Sequence, residues 1–258
     1  MRTSIASRGF NISYRAEGAG TPLVLLCGWS RWADTWWDAG YGDRLAKEYR
    51  VIAIDRLGHG ESDKPHDPAV YEPRLIVSDI VAVLDAERVD SALVWGFSMG
   101  AENAAALAML EPARVSALVC GGNAPVPSPA GRREQVLSAA EFVSTVEGME
   151  AASRSAGLTD EEVVETLAHN DPAALSASMA GTVDWEPAAV DVQAPSLWYK
   201  GSDDNPLSPD DLQLADRLGV ETHLIPGASH HGSFLRADDA LTIVRPFLEQ
   251  HRPSAAAR

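Results

Sequence analysis

An α/β fold, with a mostly parallel sheet and helices on both faces, is predicted by three observations. Short β-branched or apolar runs of strand length alternate with runs of helical period along most of the 258 residues. The composition, 45% hydrophobic and 22% charged, is that of a globular chain able to bury one large core. A single stretch, residues 124–192, breaks the alternation and lacks strand pattern.

In chain order, the segments either side of Arg8-Gly9 read as an antiparallel hairpin on the sheet edge, its second strand over Phe10–Ala16. A strand at Leu23–Cys27, a helix at Gly42–Tyr49 and a strand at Arg50–Ile54 follow. Next come a helix at Pro73–Ala86, a strand at Ala92–Gly96, an Ala-rich helix at Met99–Leu110 and a strand at Val115–Cys120. Strand, helix and strand in repetition call for a parallel sheet covered on both faces. The interrupting stretch opens on Pro125, Pro127 and Pro129 and carries helical runs near Arg132–Glu147, Asp160–Asn170 and Pro172–Met179. It leaves from the end of a strand, so it is expected as a helical cap over the carboxyl edge, where open α/β sheets bind ligands. The rhythm resumes with a strand at Ser196–Lys200, a helix at Pro209–Leu218, a strand at Val220–Ile225 and a helix at Arg236–Gln250. The division is therefore a core of residues 1–123 and 193–258 with an insertion at 124–192.

Lys and Arg total 21 against 37 Asp and Glu, a formal charge of −16 that repels phosphate backbones and anionic lipid. Neither nucleic acid nor a membrane is expected as a partner, and no apolar run approaches the roughly 20 residues of a spanning helix. The segment Met1 to Asn11 has no apolar stretch of a secretory signal, so a soluble, cytoplasmic protein is the expectation. Cys27 and Cys120 read as reduced core thiols, and the histidines show no H-x-x-H spacing that would assemble a metal site.

The chemistry centres on Gly96-Phe97-Ser98-Met99-Gly100, which follows a strand and opens a helix, the context that a G-x-S-x-G motif requires. A strand that reverses into a helix within one residue strains that residue, and side chains two positions before and after it would collide. Ser98 is thereby held above the sheet edge, but a serine needs a base, and the base a carboxylate behind it. Two later strand ends supply these types: Gly201-Ser202-Asp203-Asp204 and Pro226-Gly227-Ala228-Ser229-His230.

At these residues the chain resembles the α/β-hydrolase superfamily, in its serine esterase and perhydrolase-like branch. The resemblance implies an eight-stranded sheet and assigns Ser98 as nucleophile, Asp204 as acid and His230 as base. Leu23-Val24-Leu25-Leu26-Cys27-Gly28-Trp29 is similar to the family's strand ending in His-Gly-x, so the Trp29 and Met99 N–H groups are the implied oxyanion-hole donors. Cys27 replaces the usual His, and Ala101 stands where many members carry a second Gly. The stretch Asp55-Arg56-Leu57-Gly58-His59-Gly60-Glu61-Ser62 is similar to a structural turn of the family.

The resemblance implies a hydrolase of a small or medium, largely apolar ester or lactone, without cofactor or metal. A C–C hydrolase, a lyase, a perhydrolase or a low-turnover ligand-binding signalling protein are the alternatives on the same residues. Trp29, Trp32, Phe97 and Trp185 are expected to line the substrate pocket, although large aromatics also serve as plain core. Asp203 is the alternative acid, His231 reads as structural, and His59 and His66 read as solvated loop residues.

Overall fold

The structure is a computed structural model that describes residues 2–124, 133–183, 185, 192–205 and 209–253. Its strands are β1 (Arg2–Ser7), β2 (Phe10–Glu17), β3 (Pro22–Leu26), β4 (Arg50–Ile54), β5 (Ala92–Phe97), β6 (Val115–Gly121), β7 (Ser196–Gly201) and β8 (Glu221–Ile225). They form one eight-stranded sheet in the order β1-β2-β4-β3-β5-β6-β7-β8. The pairs β1/β2 and β2/β4 are antiparallel and all later pairs parallel, so the predicted edge hairpin and parallel sheet are both present.

Successive strand residues point to opposite faces, and here both faces are buried. Val24, Leu26, Ile52, Ile54, Val94, Leu118, Cys120 and Trp198 enter one core. Their neighbours Leu23, Leu25, Val51, Ala53, Trp95, Val119, Leu197 and Tyr199 enter the other. The first core is closed by α3 (Pro73–Ala86) and α4 (Met99–Leu110), through Ile76, Ile80, Val83, Ala104 and Leu107. On the second side the short α1 (Thr35–Asp38) and α2 (Gly42–Leu45) bring Trp36 and Leu45.

The connections between strands carry the remaining helices. After β6 come α5 (Arg133–Phe142), α6 (Val146–Ser155), α7 (Asp160–His169) and α8 (Pro172–Ala180). Between β7 and β8 lies α9 (Pro209–Leu218), and α10 (His230–Leu235) and α11 (Ala237–Gln250) follow β8. The second core is completed by α11, through Ala240, Leu241, Val244 and Leu248.

Two helical expectations change, and α10 is an addition. The run predicted over Gly42–Tyr49 ends at Leu45. The run predicted over Arg132–Glu147 divides, because Thr145 leaves the helical region (φ −114°, ψ 159°) and its hydroxyl accepts from the Gly148 N–H, starting α6. Before α11 stands the separate α10, whose N-cap Ser229 accepts from the Gly232 N–H. Cys27 and Cys120 are free thiols. The prolines at 125, 127 and 129 and part of the expected insertion boundary lie outside the described residues.

Candidate active site

Ser98 sits between β5 and α4 with φ 54° and ψ −123°, the strained turn its flanking glycines predict. A Cβ on Gly96 would lie 2.1 Å from the Gly100 carbonyl oxygen, and one on Gly100 would lie 2.1 Å from that of Leu26. Those contacts let α4 leave directly over the ends of β3 and β5. Ala101, in place of the second Gly, is fully buried.

The other two side chains arrive from the ends of β7 and β8. At Gly201 the backbone approaches its neighbour so closely that a Cβ would lie 2.0 Å from the Ala228 carbonyl oxygen. This contact sets the Asp204 loop beside the His230 loop. His230 Nε2 is 2.9 Å from Ser98 Oγ, and His230 Nδ1 is 2.8 Å from Asp204 Oδ2. Asp204 Oδ1 accepts from the Asn205 N–H at 2.7 Å, and Lys200 Nζ lies 3.7 Å from Oδ2. Burial alone would raise the Asp204 pKa, but the hydrogen bond and charge of His230, the Asn205 amide and Lys200 outweigh it and hold the carboxyl below its ordinary range. Asp203 is exposed and is linked to the Ser202 hydroxyl instead.

Gly28 lies against Ser98, so close that a Cβ there would be 3.2 Å from Ser98 Cβ. Trp29 follows it, and Met99 is the first residue of α4, whose opening N–H groups have no partner within the helix. Burial pushes the Cys27 thiol far above its usual range, and its Sγ lies 3.0 Å from the Trp32 carbonyl oxygen, so this residue packs behind the loop as an un-ionised thiol.

A cavity of about 170 Å³ opens on Ser98, lined by Trp29, Arg31, Phe97, His230, His231 and Phe234 among others. Ala152 and Ser153 of α6, with Ala156 and Leu158 just beyond it, supply another wall. Trp29 and Phe97 therefore lie where the sequence reading expects them. Trp32 does not: it is 2% exposed and stacks on His169 at 4.3 Å, beneath the loop. Trp185 packs instead on the core closed by α3, with the Arg74 guanidinium 5.2 Å over its ring. His59 is not solvated but 1% exposed; burial and the neighbouring Arg56 cation press its pKa well below the ordinary histidine value. His66 is exposed as expected and lies 3.2 Å from Asp171.

The loop after β3 is bound to the inserted helices residue by residue. Trp29 Nε1 donates to the Leu175 carbonyl at 3.3 Å, and Asn170 Nδ2 donates to the Ser30 carbonyl at 3.0 Å. Trp32 carries the His169 stack. Sequence reading missed Arg31, the α6 wall and these ties, since no local pattern marks which face of an insertion meets a distant strand end. Among the described residues no three His, Cys, Asp or Glu side chains are grouped to hold a metal ion, and no helix is long and apolar enough to cross a membrane.

A model of the alpha/beta hydrolase fold family matches residues 21–237. The 2-hydroxymuconate semialdehyde hydrolase of Pseudomonas sp. (strain CF600) is 39% identical over 127 residues, 48% of this chain and 44% of that protein. Esterase YbfF of Escherichia coli (strain K12) is 28% identical over 219 residues, 79% of this chain and 84% of the esterase. The chain spans only 34% to 53% of the length of the first curated relatives it matches. The enol-lactonase from Burkholderia xenovorans LB400 shares the fold with a TM-score of 0.79 at 23% identity, over 96% of this chain and 100% of that one. With a family match across most of its length and the matching sheet, this chain belongs to the alpha/beta hydrolase fold family.

Proposed function

We propose that the protein is a serine hydrolase that cleaves a small or medium, largely apolar carboxylic ester or lactone through an acyl-enzyme on Ser98. The observation that carries this reading is the continuous hydrogen-bonded line from Ser98 Oγ through His230 to Asp204 at the mouth of a mostly apolar cavity.

In this mechanism Ser98 Oγ attacks the substrate carbonyl while His230 Nε2 takes the hydroxyl proton. Asp204 fixes the ring with its Nδ1 proton inward and balances the imidazolium that forms. Its depressed pKa keeps it ionised, so it orients the ring without taking the proton. The tetrahedral oxyanion is met by the N–H groups of Trp29 and Met99. Collapse expels the alcohol, protonated by His230, and water then repeats the sequence to release the acid and free Ser98. The inserted helices act as the cap of this site, since α6 contributes wall residues facing Ser98. Neither cofactor nor macromolecular partner enters this scheme.

The test is labelling with an organophosphonate, located by mass spectrometry of the digested protein. A covalent adduct on the Ser98 peptide, absent in Ser98→Ala, with burst and turnover on simple esters, is the expected result. Labelling that persists in Ser98→Ala refutes the assignment, and a burst without turnover favours a receptor.

A further inference from the structure

Arg31 places a cation in the wall of the cavity that opens on Ser98. Its guanidinium lies against the His231 ring, with Nη2 3.5 Å from both ring nitrogens, which is contact with a ring and not with an anion. Among the described residues no carboxylate oxygen lies within salt-bridge reach of it. The acid whose field acts on it most, Glu162, is engaged elsewhere. One of its oxygens accepts from the Thr159 N–H (2.8 Å) and hydroxyl (3.0 Å) in the capping box that starts α7, and the other lies 3.5 Å from His231 Nε2.

Burial pulls the Arg31 pKa below the usual arginine value, opposed by the fields of Glu162 and Glu165, so the group has lost much of its water without gaining a direct counter-ion. Most of the surrounding wall is apolar: Trp29, Phe97, Ala152, Ala156, Leu158 and Phe234. Of the polar residues, Ser98 and His230 are committed to each other, His231 lies against Arg31 itself, and Ser30 and Ser153 carry no charge. A guanidinium has five N–H donors in a planar fork and no acceptor, and the group that matches it best is a carboxylate. One guanidinium with glutamates in its field balances a single negative charge, which favours a carboxylate over a doubly charged phosphate.

Resting on the hydrolase reading above, we propose that Arg31 is a specificity-determining residue, and that the substrate is a monoanionic ester whose far end carries a carboxylate docked on the Arg31 guanidinium. The apolar walls hold the chain between that carboxylate and the ester carbonyl at Ser98. The substrate is thus apolar along its body and charged at one tip.

The experiment compares matched pairs of esters. One pair is the 4-nitrophenyl hemi-ester of a five-carbon diacid against 4-nitrophenyl pentanoate. The other is 4-acetoxybutanoate against its methyl ester, which puts the carboxylate on the alcohol side. For each enzyme the readout is the ratio of kcat/KM, anionic over neutral, which does not depend on the fraction of folded enzyme. In at least one pair the wild type should prefer the anion, and Arg31→Gln should lower the ratio by about 10- to 100-fold, with Arg31→Lys between them.

A ratio that Arg31→Gln leaves unchanged in both pairs, or a wild-type preference for the neutral ester in both, overturns the proposal. Calorimetric binding of the same hemi-ester and acetoxy acid to Ser98→Ala, with and without Arg31→Gln, judges Arg31 even if no ester is turned over. Binding weakened by the same factor supports it, and equal affinity refutes it. Failure of Ser98 labelling strikes the hydrolase reading alone.

Discussion

Asp204 takes hydrogen bonds from His230 and the Asn205 amide, whereas Asp203 beside it faces solvent, so the two carboxylates answer differently to the loss of charge. His230→Ala should lower kcat by about 10³-fold or more and Asp204→Asn by somewhat less, while Asp203→Asn should stay within a few-fold, all read from steady-state ester hydrolysis. The residue types of this line were legible in the sequence because each stands at the end of a strand in a short turn. His59 was not, because a polar turn reads as solvated until the fold brings Trp32 and the buried Asp55 onto it. Its burial has a consequence for acid stability. As pH falls through about 6.5 the unfolded chain protonates this histidine while the native state, with its depressed pKa, does not, so its contribution is complete above that pH and declines below it. In His59→Gln the decline of Tm between pH 7 and pH 5 should be shallower than in the wild type. An unchanged slope would show that His59 does not govern that loss.

Strands were the legible elements, since β3 to β7 are short apolar runs whose alternate residues reach two separate cores. The helices of the insertion were legible as helices but not in their breaks, because Thr145 acts through one hydroxyl rather than through a run of residues. Trp32 and Trp185 show the same limit. Their size predicts burial, but whether they line a pocket depends on which helix returns against them, His169 of α7 in one case and the α3 side in the other. The crossing of α4 over β3 depends on Gly100, where a methyl group would meet the Leu26 carbonyl at 2.1 Å. Gly100→Ala should therefore cost about 1–3 kcal/mol, seen as a lower urea midpoint with an unchanged m value. It should also slow phosphonate labelling, since any relief of the clash moves the start of α4 away from Ser98.

Across the whole molecule the site lies where the order of strands turns, with β4 placed on one side of β3 and β5 on the other. The α/β alternation predicts the carboxyl edge of a parallel sheet but not this turn in the strand order, and the seating of the insertion likewise required the full chain. Its seating has a mechanical consequence. The loop that carries Trp29 is fastened to α8 by the indole bond to Leu175 and to the end of α7 by Asn170, so an outward swing of the helices that keeps these bonds carries the loop with it. Under the proposed roles, an outward movement of the insertion displaces one of the two oxyanion donors. Access and chemistry then exclude each other in time, as with a door whose hinge carries the wiring: the open form admits substrate or discharges acid but performs no acyl transfer. Asn170→Ala, which cuts one tether, should thus lower kcat more than it raises KM, and should slow Ser98 phosphonylation by a similar factor. A change confined to KM would mean that the loop keeps its shape without the helices.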